Sequence, residues 1–177
     1  MKSVSGAYLL VMLQQCAVWT VYAIRIHDPE VLVMNALAVG INAIFLSLFL
    51  YVQWQFARYG FMTIVLLSMP LPFLVHLFMT TSHIGLLATM GSIITYAVSL
   101  DSVSLTLKSR DPDTVNMLLV VAATINGAIW GVYAILIGDL YIFLPNVAAL
   151  ASSSIQIHLY WWSKGDMDST HWLIQYL

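Results

Sequence analysis

Six apolar runs, each about long enough to cross a bilayer, occupy nearly all of the sequence between Ala7 and Trp162. They lie near 7–26, 30–52, 59–80, 84–106, 115–137 and 140–162. The breaks between them are short and polar: His27-Asp28-Pro29-Glu30, Thr80-Thr81-Ser82-His83, Lys108 to Thr114, and Gly138-Asp139. Of 177 residues, 61% are hydrophobic and 8% charged, whereas soluble domains carry about 25% charged residues. A soluble fold of this size keeps too much of its surface wet to hide so much apolar side chain. Lipid is therefore the expected solvent, and the expected fold is an all-α membrane protein of six transmembrane helices. Pro70 and Pro72 should kink the third run, because each removes a backbone donor. No stretch is long enough for a separate soluble domain, and the tail from Ser163 to Leu177 is too short to fold alone.

The polar residues exclude several classes of function. A net charge of −2 gives no footprint for nucleic acid. Cys16, the single cysteine, sits in an apolar run, rules out an internal disulfide framework and reads as a packing residue. His76 and His158 have no Cys or Glu at ligand spacing, so no metal site is expected. There is no nucleotide loop, nucleophile motif or paired carboxylate, so neither an enzyme nor a cofactor is expected. The run after Lys2 continues into a full span and does not read as a cleavable signal peptide. With ends and loops on alternating sides, Lys2, Arg58, Lys108, Arg110 and Lys164 share one side and Arg25 takes the other. The positive-inside rule then puts both termini in the cytosol. Tyr51, Trp54, Tyr160, Trp161 and Trp162 suit an aromatic belt at that face.

The chain also contains a gapless duplication. AVWTVYAIRIHDPEVLVMNALA, from Ala17, recurs as AIWGVYAILIGDLYIFLPNVAA, from Ala128, at a constant offset of 111. Ala17, Trp19, Val21, Tyr22, Ala23, Ile24, Ile26, Asp28, Asn35 and Ala38 recur unchanged. Hydrophobic bias explains matched Ala, Val and Ile but not Trp, Tyr, Asp and Asn in register. Both copies run the same way across the membrane, as in a parallel repeat about an axis along the membrane normal. The expected organisation is a first repeat over 1–54, a linker helix over 55–82, a second repeat over 83–163, and a short cytosolic tail over 164–177.

W-x-x-Y-A, a hairpin Asp and then P-N opening the next helix resemble the SWEET sugar transporters of the PQ-loop (MtN3/saliva) superfamily. The match is closest from Trp130 to Asn146 and again from Gln156 to Tyr160, and it extends over nearly the whole chain. The resemblance implies seven helices arranged as three, a linker and three. Met1 stands where the family's first cytosolic loop would be, so the first half is expected to lack its first helix. It further implies facilitative, bidirectional transport of a mono- or disaccharide by alternating access. The expected setting is the plasma membrane or an endomembrane, with a sugar and the lipid bilayer as partners and a homo- or hetero-oligomer as the assembly.

Helical spacing groups the candidate binding residues. Gln15, Trp19 and Tyr22 lie at i, i+4 and i+7, as do Asn126, Trp130 and Tyr133. Trp19 precedes Asp28 by nine positions and Asn35 follows it by seven, so both lie on the order of 10–14 Å inside the outer turn. Trp130 and Asn146 stand at the same depth from Asp139. An amide supplies donors and an acceptor for hydroxyls, and an indole face suits the C–H face of a pyranose. The resemblance assigns Asn35, Asn146, Trp19 and Trp130 to a central pocket, and places Gln15 and Asn126 at its size-selecting position. Against this stands simple interhelical hydrogen bonding by Asn, worth about 0.6 kcal/mol on average. Tyr22 and Tyr133 read as packing residues.

Asp28 and Asp139 are expected to cap the hairpins. Asp101, seven residues before Lys108, is an intramembrane acid: a proton site on one reading, a residue reaching cytosolic water on the other. Two alternative functions follow, a proton-coupled amino-acid transporter and a non-transporting partner subunit. The sequence departs from the family in its four cytosolic-side hinge prolines. Tyr8 and Ser99 replace two, the fourth falls near Thr114 with Pro112 two residues away, and the first would lie in the missing helix. Pro145 is retained, with Met34 at its repeat position.

Overall fold

The structure, a computed structural model, describes residues 6–52, 60–99 and 101–174, and the side chains within them apart from those of 60, 97–99, 101–102 and 166–174. Regular structure among the described residues is helical throughout: α1 (Gly6–Ile26), α2 (Pro29–Val52), α3 (Gly60–Ser68), α4 (Leu71–Phe78), α5 (Thr81–Ser99), α6 (Asp101–Ser109), a 3-10 turn (Pro112–Thr114), α7 (Met117–Ile137) and α8 (Leu140–Ile174). Among the described residues, five stretches are long and apolar enough to span a bilayer: 6–26, 29–52, 61–78, 117–137 and 140–165. They correspond to five of the six predicted runs. The fourth predicted run is helical at every described position. It covers α5 and most of α6, which lie on either side of residue 100, and residue 100 is outside the described residues. α8 continues past Trp162 as helix through Ile174.

The third run breaks where its prolines stand. Pro70 has no N–H to extend α3; instead Met69 N closes a tight turn on Leu66 O at 3.4 Å, and Leu74 N bonds Pro70 O at 2.9 Å to start α4.

The chain divides into two compact units, Met1–Ala88 and Thr89–Leu177. In the first, Leu9, Leu10 and Leu13 of α1 pack with Leu46 of α2 and Val65 of α3, flanked by Val39, Ala43, Phe49, Leu50 and Phe61. Phe49 and Phe61 meet edge to face with centroids 6.2 Å apart, a geometry that favours aromatic pairs. α4 is tied to α1 by Arg25. Its Nη2 donates to the His76 carbonyl and its Nε to His76 Nδ1 at 3.4 Å. The guanidinium thereby sits at the C-terminal ends of both α1 and α4, where a cation complements the helix dipole.

In the second unit α7 and α8 approach closely at Gly127. A Cβ there would lie 3.3 Å from Leu150 Cγ and 3.4 Å from the Asn146 carbonyl oxygen. Small residues let membrane helices make such contacts, which lipid does not replace. α5–α6 runs alongside α8 in the same direction. Thr89 Oγ1 donates to Tyr141 O at 2.8 Å near the start of α8, and Arg110 stacks 5.3 Å from the Trp162 ring farther along. The sequence offset between partners is 52 at both ends. Pro112 opens the 3-10 turn, and Thr106 hydrogen-bonds Thr114 across it at 2.5 Å.

Candidate functional site

The duplication read from sequence reappears in the hydrogen bonds. At the end of α1, His27 N bonds Ile24 O (3.4 Å) and Asp28 N bonds Ala23 O (3.0 Å). At the end of α7, Gly138 N bonds Ile135 O (3.3 Å) and Asp139 N bonds Ala134 O (3.0 Å). Each set is a Schellman C-cap with its pivot in the left-handed region, φ 56° at His27 and 70° at Gly138. The same aspartate then starts the next helix, as the sequence predicts. Asp28 Oδ1 accepts from Val31 N at 2.9 Å, and Asp139 Oδ1 accepts from Tyr141 N and Ile142 N at 2.8 and 3.1 Å. Every pair of equivalents is 111 residues apart.

These turns set the position of the candidate asparagines, about two turns into each following helix. Asn35 Nδ2 donates to Val31 O at 2.9 Å, and Asn146 Nδ2 to Ile142 O at 2.7 Å. Each carboxamide is oriented by its own helix and retains Oδ1 and a second N–H for a ligand. Asn146 is buried, Asn35 half-buried. Asn146 lies against α7, since a Cβ on Gly131, the residue after Trp130, would be 3.9 Å from its own Cβ. Trp19 meets Tyr22 edge to face at 5.7 Å, and Trp130 meets Tyr133 likewise at 5.4 Å. Tyr22 is buried and Tyr133 half-buried, while both tryptophans stay partly accessible. Each tyrosine therefore braces its indole.

Gln15 and Asn126 share a repeat position but not an environment. Gln15 Nε2 donates to Ala88 O at 2.6 Å, joining α1 to α5, whereas Asn126 is exposed. Asp101 is the first residue of α6, and its side chain lies outside the described residues, as do that of Ser99 and all of Trp54 and Arg58.

Other polar contacts were not singled out from sequence. In the first unit Gln14 Nε2 donates to Ser68 Oγ at 3.3 Å, while Gln14 Oε1 is buried without a hydrogen-bond partner among the described residues. Asn42 Nδ2 bonds Ala38 O at 2.8 Å and lies 3.8 Å from Cys16 Sγ. In the second unit Thr89 takes up the Tyr141 carbonyl, which Pro145, four residues later, cannot reach. Pro145 itself was the available signal, because a helical proline always frees the carbonyl four residues earlier. No group of three or more His, Cys, Asp or Glu able to hold a metal occurs among the described residues.

Residues 82–166 match the family model described as "Sugar efflux transporter for intercellular exchange". The chain is 25% identical over 166 residues to the bidirectional sugar transporter SWEET4 of Arabidopsis thaliana, covering 86% of this chain and 65% of that one. It is 29% identical over 164 residues to SWEET11 of the same plant, covering 85% of this chain and 56% of that one. The chain thus spans roughly three-fifths of the length of these two curated relatives. A solved eukaryotic SWEET transporter superposes with a TM-score of 0.79 at 18% identity, covering 92% of this chain and 80% of that one, a likeness of fold.

Proposed function

From its similarity to the SWEET sugar transporters, we propose that this chain carries a neutral mono- or disaccharide across a membrane, in either direction and down the sugar's gradient. Alternating access is the mechanism, and no covalent step is involved. The single observation that supports this reading most is the in-register recurrence of one polar device in both units: a Schellman turn, an aspartate cap, and an asparagine about two turns later whose amide is oriented by its own helix. Packing alone does not require each unit to keep an amide and a braced indole at the same positions relative to its turn.

In this reading the amides of Asn35 and Asn146 exchange hydrogen bonds with sugar hydroxyls, both as donors and as acceptors. The faces of Trp19 and Trp130 take the apolar face of the pyranose. Gln15, anchored on Ala88, and Asn126 limit the size of the substrate. These groups are uncharged, which suits a neutral solute that must also be released. The membrane is the plasma membrane or an endomembrane, with both termini in the cytosol.

The test is uptake of radiolabelled hexose and sucrose into transport-deficient cells or proteoliposomes. Asn35→Ala and Asn146→Ala should each abolish uptake at normal surface expression. Unchanged uptake in both variants would reduce the asparagines to packing residues.

A further inference from the structure

α2 carries a second asparagine, and it repeats the geometry of the first. Asn42 stands seven residues beyond Asn35, so it lies on the same face of α2 and about 10 Å farther along the helix. Its Nδ2 donates to Ala38 O at 2.8 Å, as Asn35 Nδ2 donates to Val31 O at 2.9 Å. The same nitrogen approaches Cys16 Sγ of α1 to 3.8 Å, so the amide is turned toward α1. Cys16 stands three residues before Trp19. The contact with the thiol leaves most of the amide's capacity unused, because sulfur is a weak acceptor. Asn42 Oδ1 has no hydrogen-bond partner among the described residues and keeps exposed surface.

The repeat shows that helix packing does not demand an amide at this level. The equivalent of Asn42, 111 residues on, is Ser153, which is buried. The equivalent of Cys16 is Gly127, where a Cβ would lie 3.3 Å from Leu150 Cγ and 3.5 Å from Ala149 Cβ. Small residues therefore close α7 against α8 here. The first unit places a thiol and a half-buried amide at the same level instead.

We infer that Asn42 is a further sugar-binding residue, which holds the second ring of a disaccharide whose first ring lies at Asn35. The inference rests on the proposed role of Asn35 and Trp19 as ligands of one pyranose. A separation of about 10 Å along one helix face is too long for a single ring to bridge and suits two rings linked end to end. Asn42 Oδ1 accepts from a hydroxyl of the second ring. The N–H that faces Cys16 exchanges the thiol for a sugar oxygen, a stronger acceptor. Ser153, buried at the equivalent place, has no part in this, so the second ring is read by the first unit.

The experiment measures half-saturation constants for glucose and for sucrose with the full chain in proteoliposomes. The unaltered chain should carry both sugars. Asn42→Leu keeps the volume and removes the hydrogen-bonding groups, and it should raise the ratio of the sucrose constant to the glucose constant about fivefold. Asn42→Ala should raise the same ratio, which guards against a folding defect peculiar to the leucine. Cys16→Ala leaves the amide in place and should not raise it. An equal change for both sugars in the Asn42 variants, or no change, would overturn the assignment and make Asn42 a packing residue. Uptake of glucose without sucrose by the unaltered chain would overturn it while sparing the transport reading. Uptake of neither sugar would overturn both.

Discussion

Pro145 and Thr89 should be energetically coupled through a carbonyl that belongs to neither. Proline at 145 cannot donate to Tyr141 O, and Thr89 Oγ1 donates to it instead at 2.8 Å from a side chain only 3% exposed. Thr89→Val keeps shape and volume but removes the donor. Interhelical hydrogen bonds in membranes average about 0.6 kcal/mol and reach about 1.7. A short bond in a buried place belongs near the upper end, so the expected cost is about 1–1.5 kcal/mol. Pro145→Ala supplies a backbone N–H in ordinary helical register with the same carbonyl. In that background Thr89→Val should cost almost nothing. The coupling energy is then about 1 kcal/mol, roughly fivefold in the unfolding equilibrium constant. The assay is a double-mutant cycle of unfolding in mixed detergent micelles, followed by tryptophan fluorescence. An equal cost of Thr89→Val in both backgrounds would refute the reasoning, because Thr89 would then act by packing alone.

The two hairpin turns should respond oppositely to matched substitutions. His27→Gly removes a Cβ held at φ 56° and should raise stability by about 1 kcal/mol, whereas Gly138→Ala introduces one and should lower it by a similar amount; unfolding midpoints decide. Asp139→Ala removes the acceptor of two backbone N–H groups and should cost about 1 kcal/mol by the same measurement. Sugar flux should persist with a protonophore and in Asp101→Asn, because the candidate binding groups are uncharged; a large loss in both would make Asp101 a proton carrier. Tags at either end should be shielded from protease in sealed right-side-out vesicles, given the five-to-one segregation of Lys and Arg.

Much of this protein was already legible as a string of residues. Spans follow from apolar run length, since hydrocarbon imposes a minimum number of helical residues whatever the neighbours are. The hairpins and their caps follow from Asp28 and Asp139, because a Schellman turn and an N-cap are built within a few consecutive residues. The duplication was visible because identity at a fixed offset needs no coordinates. It led directly to Asn35, Asn146, Trp19 and Trp130, and their local geometry recurs with the sequence.

What the string left undetermined depends on contacts between distant residues. Gln15 and Asn126 occupy one repeat position, yet one is tied to Ala88 and the other is exposed, because packing differs between the units. The attachment of Arg25 to the end of α4, and the filling of the Tyr141 carbonyl by Thr89, join residues 51 and 52 positions apart.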